Sequence, residues 1–179
     1  MEEPRVVLVD ENDNITGLAG KTEAHRKALL HRAVSVFIFN TGGEWLLQQR
    51  AFSKYHSAGL WSNACCTHPL PGETNENACH RRLMEEMGLE GIPLKNAFFF
   101  IYKEPLENGL TEYELDHVYL GISDNLPVIN PSEVSDYRFI PFSMLFDEIK
   151  RKPEKFTVWF RKIFQRVHNY HNSLDDRML

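Results

Sequence analysis

Between residues 74 and 88 the chain commits itself to one amphipathic helix. Cys79, Leu83 and Met87 recur at i, i+4 and i+8, Thr74 offers a capping oxygen ahead of them, and Gly88 stands past the last turn. A helix with a single apolar seam must bury it against another layer, and the remaining apolar runs supply that layer as strands. Residues 5–10 read as a strand with Asp13-Asn14 as its turn, 33–39 and 45–50 as a hairpin about Thr41-Gly42-Gly43, and 97–103 and 111–122 as two further strands. Helices over 141–151 and 154–170 close the chain. The expected class is α/β: an α/β/α sandwich with helices on both faces of a mixed sheet.

At 179 residues and 42% hydrophobic content, one domain over 1–179 is expected, with 172–179 as a frayed polar tail. A net charge of −5 with both signs interspersed leaves no basic face for a nucleic-acid backbone, so a small-molecule partner is expected. Three cysteines, two of them adjacent, form no even framework, and Met1-Glu2-Glu3-Pro4 lacks the basic and apolar regions of a secretory signal. Both features suit a reducing cytoplasm. Residues 33–39 are too short and too interrupted by Ser35 to enter a bilayer, so no membrane insertion is expected.

Chemistry concentrates in Asn63-Ala64-Cys65-Cys66-Thr67-His68-Pro69, immediately before the helix. Pro69 biases His68 towards extended backbone, which puts Cys66 and His68 on a common side and sends Cys65 the other way. His25 and His31 flank residues 26–30, and Glu112 and Glu114, two apart in a strand, point to one face. Three imidazoles and two carboxylates suit zinc, manganese or iron(II). Taken singly, each histidine reads as a surface or capping residue and the two glutamates as a solvated strand face.

Residues 67–89 resemble the Nudix signature, G-x5-E-x7-R-E-U-x-E-E-x-G-U with U aliphatic. Glu73, Arg81, Leu83, Glu85, Glu86, Gly88 and Leu89 fall in register. Thr67 replaces the first glycine, and Arg82 replaces the first glutamate of the R-E-U-x-E-E core. The resemblance implies a Nudix-type fold and, for hydrolysing members, magnesium held by the glutamate cluster. An arginine inside that cluster reverses the local charge and repels the metal, while its fork suits phosphate oxygens. The site is expected to bind a diphosphate without cleaving it. The plain alternative makes Arg82 and Glu86 an i, i+4 surface ion pair contributing about 0.3–0.5 kcal/mol.

The order of His25 and His31, the Asn-x-x-Cys-x-His-Pro stretch, the altered Nudix helix and Glu112-x-Glu114 is similar to that of type 1 isopentenyl diphosphate isomerases, and the likeness runs from about Val6 to Trp159. The resemblance implies interconversion of isopentenyl and dimethylallyl diphosphate. It also implies a zinc or manganese ion on His25, His31, His68, Glu112 and Glu114, and a magnesium ion on the diphosphate near Glu86 and the Cys66 carbonyl. Cys66, Glu114 and Tyr102 match the catalytic thiol, the catalytic carboxylate and an assisting tyrosine. Lys21, Arg50, Lys54 and Arg82 match the diphosphate grip, although without the resemblance all four read as solvated charges, and Trp159 matches the aromatic wall. Nearby cations are expected to favour a Cys66 thiolate. Two other readings stand beside this one: a Nudix pyrophosphohydrolase using Glu73, Glu85 and Glu86 on a nucleoside or prenyl diphosphate, and a non-catalytic metal-binding scaffold.

Overall fold

The computed structural model describes residues 3–175. Its central strand is β3 (His31–Phe39), eight of whose nine residues are buried. β8 (Thr111–Ile122) runs parallel to β3 along its whole length, from His31↔Glu114 to Phe39↔Ile122. That pairing fills one edge of β3. The other edge is shared in turn by β1 (Arg5–Val9), by β6 (Cys65–Thr67) and by β4 (Trp45–Arg50), all antiparallel to β3. β2 (Ile15–Gly20) adds to β1, β5 (Trp61–Ser62) and β9 (Val134–Ile140) add to β4, and β7 (Lys95–Pro105) adds to β8. One parallel pairing among antiparallel ones makes the sheet mixed, as expected.

Alternation along β3 divides the core. Val34, Val36 and Ile38 point to the face covered by α2 (Asn75–Met87), where Leu83 and Met87 are buried with Cys65. Phe37 and Phe39 point to the face covered by α3 (Phe142–Arg151) and α4 (Val158–Asp175), with Trp45, Trp159 and Phe160. Cutting Leu83, 1% exposed, back to alanine would cost about 2–5 kcal/mol. The α2 boundaries match the sequence signals. Thr74 Oγ1 accepts from Asn77 N at 3.2 Å, and Gly88 takes φ 62° where an added Cβ would lie 2.7 Å from the Val128 carbonyl. Only glycine fits both demands.

Several boundaries differ from expectation. β2, β9 and the short β5 and β6 were not anticipated. α1 (Lys21–Lys27), which carries His25, is a further element that the sequence patterns do not assign. The last helix begins at Val158 because Pro153–Lys155 forms a separate 3-10 turn, and it runs through 172–175, which were expected to fray. Residues 176–179 of that expected tail lie outside the described residues. No helix among the described residues is long and apolar enough to cross a membrane.

Candidate active site

On β8 the residues facing the α4 side change from acidic to apolar along the strand. Glu112, Glu114 and Asp116 precede Val118 and Leu120, and all three carboxylates are buried. A cavity of about 280 Å³ lies at the acidic end of this face. Strand pairing brings its contents together: Tyr102 stands opposite Glu114 on β7, and His31 opposite Glu114 on β3.

Three imidazoles converge there, and their tautomers follow from geometry. His25 Nδ1 lies 2.7 Å from the Lys21 carbonyl and His31 Nδ1 2.8 Å from the Leu29 carbonyl. A carbonyl only accepts, so each Nδ1 carries the proton and each Nε2 turns a bare lone pair inward. His31 Nε2 lies 3.2 Å from His68 Nε2, which lies 2.8 Å from Glu114 Oε1. Ligand atoms of His25, His31, His68 and Glu114 all fall within 4.8 Å of one another. His25 Nε2 is buried without a hydrogen-bond partner, and so is Glu112 Oε2, 3.5 Å away. Inward lone pairs and orphaned buried acceptors are what a divalent cation would satisfy, so these residues fit one. Glu112, expected as a full member of the set, stands beside this four-residue group rather than in it.

Burial tends to raise both carboxyls of the pair, but they separate. The hydrogen bond from His68 Nε2 holds Glu114 well below the usual carboxylate range, while burial and the neighbouring Glu114 charge push Glu112 well above it. Burial lowers His68 to about 3 despite Glu114, which keeps its imidazole neutral and able to ligate. Tyr102 donates from its hydroxyl to Glu114 Oε2 at 2.7 Å, and burial raises the phenol far above its ordinary value.

Cys66 and Cys65 point to opposite faces, as expected: Cys66 lines the cavity, and Cys65 is fully buried beneath α2. Asn63 Nδ2 donates to the Cys66 sulfur at 3.1 Å, and Ser35 Oγ lies 3.3 Å from it while donating to Asp116 Oδ2 at 2.6 Å. The expected thiolate is not favoured here. Burial and the Asp116 charge push the thiol well up, and the Ser35 and Asn63 hydrogen bonds only partly oppose them.

Lys21, Arg50, Lys54 and Arg82 all line the cavity, which overturns their elementary reading as solvated charges. Lys54 and Arg82 converge on one carboxylate, Glu133, in the turn before β9. Arg82 also pairs with Glu85 at 3.0 Å and with Glu86 at 2.6 Å. The Arg82–Glu86 pair is therefore largely buried, not a surface pair. Glu86 holds Gln48 with its other oxygen, at 2.7 Å. Glu73 instead bonds Arg81 twice, at 2.7 and 2.9 Å, and the Leu70 amide at 2.8 Å, which makes it a brace for the loop entering α2. Trp159 donates from Nε1 to Ser62 Oγ at 3.0 Å and carries the Arg50 guanidinium 5.4 Å above its ring.

Sequence reasoning missed Ser35, His56, Asn63 as a thiol partner, Asp116 and Glu133. Asp116 had a legible signal, being the next same-face residue after Glu112 and Glu114. Asn63 stands only three residues before Cys66, in the Asn-x-x-Cys stretch, whereas Ser35, His56 and Glu133 depend on pairings distant in sequence.

Residues 29–166 match the family model described as NUDIX domain. Over 165 residues the chain is 53% identical to a protein of Pectobacterium atrosepticum named isopentenyl-diphosphate Delta-isomerase, covering 92% of each. It is also 53% identical over 158 residues to isopentenyl-diphosphate Delta-isomerase 2 of Photorhabdus laumondii, covering 88% of this chain and 89% of that one. Among solved structures, DR0079 from Deinococcus radiodurans aligns with a TM-score of 0.69 at 25% identity, over 82% of this chain and 89% of that one. A MutT protein from Methanosarcina mazei aligns at 0.65 and 19% identity, over 79% and 95%. These two likenesses concern the fold.

Proposed function

This chain belongs to the isopentenyl-diphosphate Delta-isomerase family of NUDIX-domain proteins, and we propose that it interconverts isopentenyl and dimethylallyl diphosphate in the cavity shared by Cys66, Tyr102, Glu114 and Trp159. The observation that carries this reading is the placing of two proton-handling groups on opposite edges of one strand. Tyr102 and Glu114 come from β7 and β8 on one edge of β3, and Cys66 from β6 on the other.

A 1,3 shift of a double bond adds a proton at one carbon and removes another two carbons away, so two acid–base groups must flank the substrate. Tyr102 and Glu114 form the protonating side, with the hydroxyl already bonded to the carboxylate. Cys66 takes the proton on the other side, where Ser35 and Asn63 hold its sulfur. With its pKa raised, Cys66 rests as the thiol, so it takes this proton only as the thiolate, which is then the stronger base for the raised value. Roles reverse for the reverse reaction. Protonation of the alkene gives a tertiary carbocation, and Trp159 supplies a π face against it in a site sheltered from water.

Lys21, Arg50, Lys54 and Arg82 hold the diphosphate, fixing the hydrocarbon between the two groups. Replacing Glu133 by the diphosphate as the partner of Lys54 and Arg82 also frees Glu86 from its ion pair. His25, His31, His68 and Glu114, with Glu112 beside them, would hold a zinc or manganese ion, and Glu86 a magnesium ion with the diphosphate. Such ions supply positive charge that acidifies a carboxyl ligand and neutralises phosphate oxygens.

We read the chain as one domain, since β1, β2 and α1, which precede the matched region, contribute to the same sheet and site. Three unpaired cysteines, one of them the working thiol, support a reducing compartment, the cytoplasm. Proton NMR of isopentenyl diphosphate with purified protein and divalent metal tests the reading: dimethylallyl resonances should grow to equilibrium, with solvent deuterium incorporated in heavy water. Release of phosphate without allylic product would instead identify a hydrolase.

A further inference from the structure

We infer that His56 sets the length of hydrocarbon the site accepts, standing as the wall between the substrate cavity and a second cavity behind it. A space of about 360 Å³ adjoins the first, and His56 is the one residue among the described residues that lines both. Leu60, Leu106, Phe156 and Val158 line the second cavity, with Glu104, Glu154 and Arg161 also in its wall. An alkyl chain would bury apolar surface against those four apolar side chains.

The wall is held in place from several sides. His56 is 7% exposed, and its ring meets Trp159 edge-on at 6.1 Å and Tyr55 edge-on at 4.5 Å. Its Nδ1 lies 3.3 Å from Ser57 Oγ, and its carbonyl accepts from Arg50 at 3.2 Å. The next residue, Ser57, takes φ 49°, a left-handed conformation uncommon for serine, so the loop is fixed by its contacts rather than by local preference.

The direction of the substrate follows from the function proposed above, on which this inference rests. Arg82 and Lys54 take the diphosphate, and Trp159 faces the hydrocarbon. The end of the molecule beyond Trp159 therefore points at the imidazole that Trp159 touches. A longer alkyl group on the reacting alkene would collide with His56, whereas a small residue at 56 would open the way into the second cavity. The chemistry is unchanged: one C–H bond forms and one breaks two carbons away, with no further reactant.

The test compares kcat/KM, by proton NMR, for isopentenyl diphosphate and for a homologue whose C3 methyl is extended to butyl. His56→Ala should raise the homologue-to-parent ratio at least about tenfold over the original protein, because pocket length discriminates by about that factor or more per added carbon. His56→Phe keeps a wall and should not raise it. Leu106→Trp added to His56→Ala refills the second cavity and should abolish the gain. An unchanged ratio in His56→Ala, or a gain that survives Leu106→Trp, overturns the inference. Should His56→Ala fail to fold by circular dichroism, His56→Ser carries the same expectation. Failure of the original protein to turn over isopentenyl diphosphate would instead overturn the functional reading.

Discussion

Tyr102 and Glu114 are paired residues of β7 and β8, and the tyrosine hydroxyl donates to Glu114 Oε2 while Oε1 of the same carboxylate faces His68. One carboxylate thus joins a proton-bearing phenol to the imidazole cluster, with an oxygen committed to each. Tyr102→Phe removes the proton and keeps the ring, whose stacking on Phe100 preserves the fold. Its turnover should fall by about 10²–10⁴-fold, the usual contribution of a positioned acid or base. Metal content, measured by elemental analysis, should stay at the original level. A variant retaining full turnover would remove Tyr102 from the proton path.

The adjacent thiols separate packing from chemistry. Cys66→Ala should lose activity by several orders of magnitude while still binding substrate. Cys66→Ser should be nearly as impaired, because an alcohol is a much weaker acid than a thiol. Cys65→Ala removes one sulfur from the α2 core and should stay within about tenfold, a packing effect of about 1.4 kcal/mol or less. NMR rates for the two alanine variants decide between them; an inactive Cys65→Ala beside an active Cys66→Ala would reverse the assignment.

His68→Ala removes an imidazole from the four-residue group without opening the apolar core. Bound metal should drop, and a strong chelator should inactivate the original protein, with magnesium alone restoring little turnover. Full activity with magnesium alone after stripping would rule out a separate metal at the histidines.

Much of this site was legible because its residues lie in short local patterns. The α2 signature, His68 before Pro69, and Glu112 and Glu114 two apart each announce a shared face or a helix boundary. His56 and Glu133 announce nothing locally. Glu133 matters because β9 pairs with β4 and swings its preceding turn over Lys54 and Arg82, and His56 because two cavities meet at its loop. The parallel pairing of β3 with β8 likewise joins segments about eighty residues apart, yet it sets His31 against Glu114. The thiolate expected at Cys66 failed for a related reason. Cations could be counted along the chain, but the depth of the sulfur and the Asp116 carboxylate near it could not.

Arg82 lies among Glu85, Glu86 and Glu133, a cluster that only a cation makes tolerable. Arg82→Glu would crowd four carboxylates and remove a phosphate-binding fork, so diphosphate affinity should fall by at least about tenfold, as read by calorimetry with a non-reacting diphosphate. Thermal stability should fall as well and recover partly at mildly acidic pH, where the cluster takes up protons. Unchanged affinity would reduce Arg82 to a structural charge.

Glu73 and Arg81 give the fold an acid-sensitive brace outside the proton-transfer groups. Arg81 bonds both carboxylate oxygens and the Leu70 amide adds a third contact, so Glu73 is held below its ordinary carboxylate value, chiefly by Arg81. A carboxyl whose pKa is lower folded than unfolded stabilises the fold at any pH above the unfolded value, about 4.3, and loses that contribution as pH falls through the folded value. Glu73→Gln keeps the shape and discards the charge. It should cost about 1–2 kcal/mol at neutral pH, the range for hydrogen bonds to a charged group. Below about pH 4 the difference should shrink, because the original side chain is then itself becoming neutral. Urea unfolding of both proteins at pH 7 and pH 3.5 measures this: a gap that closes on acidification supports the brace, whereas an equal gap at both values would assign the loss to shape rather than to charge.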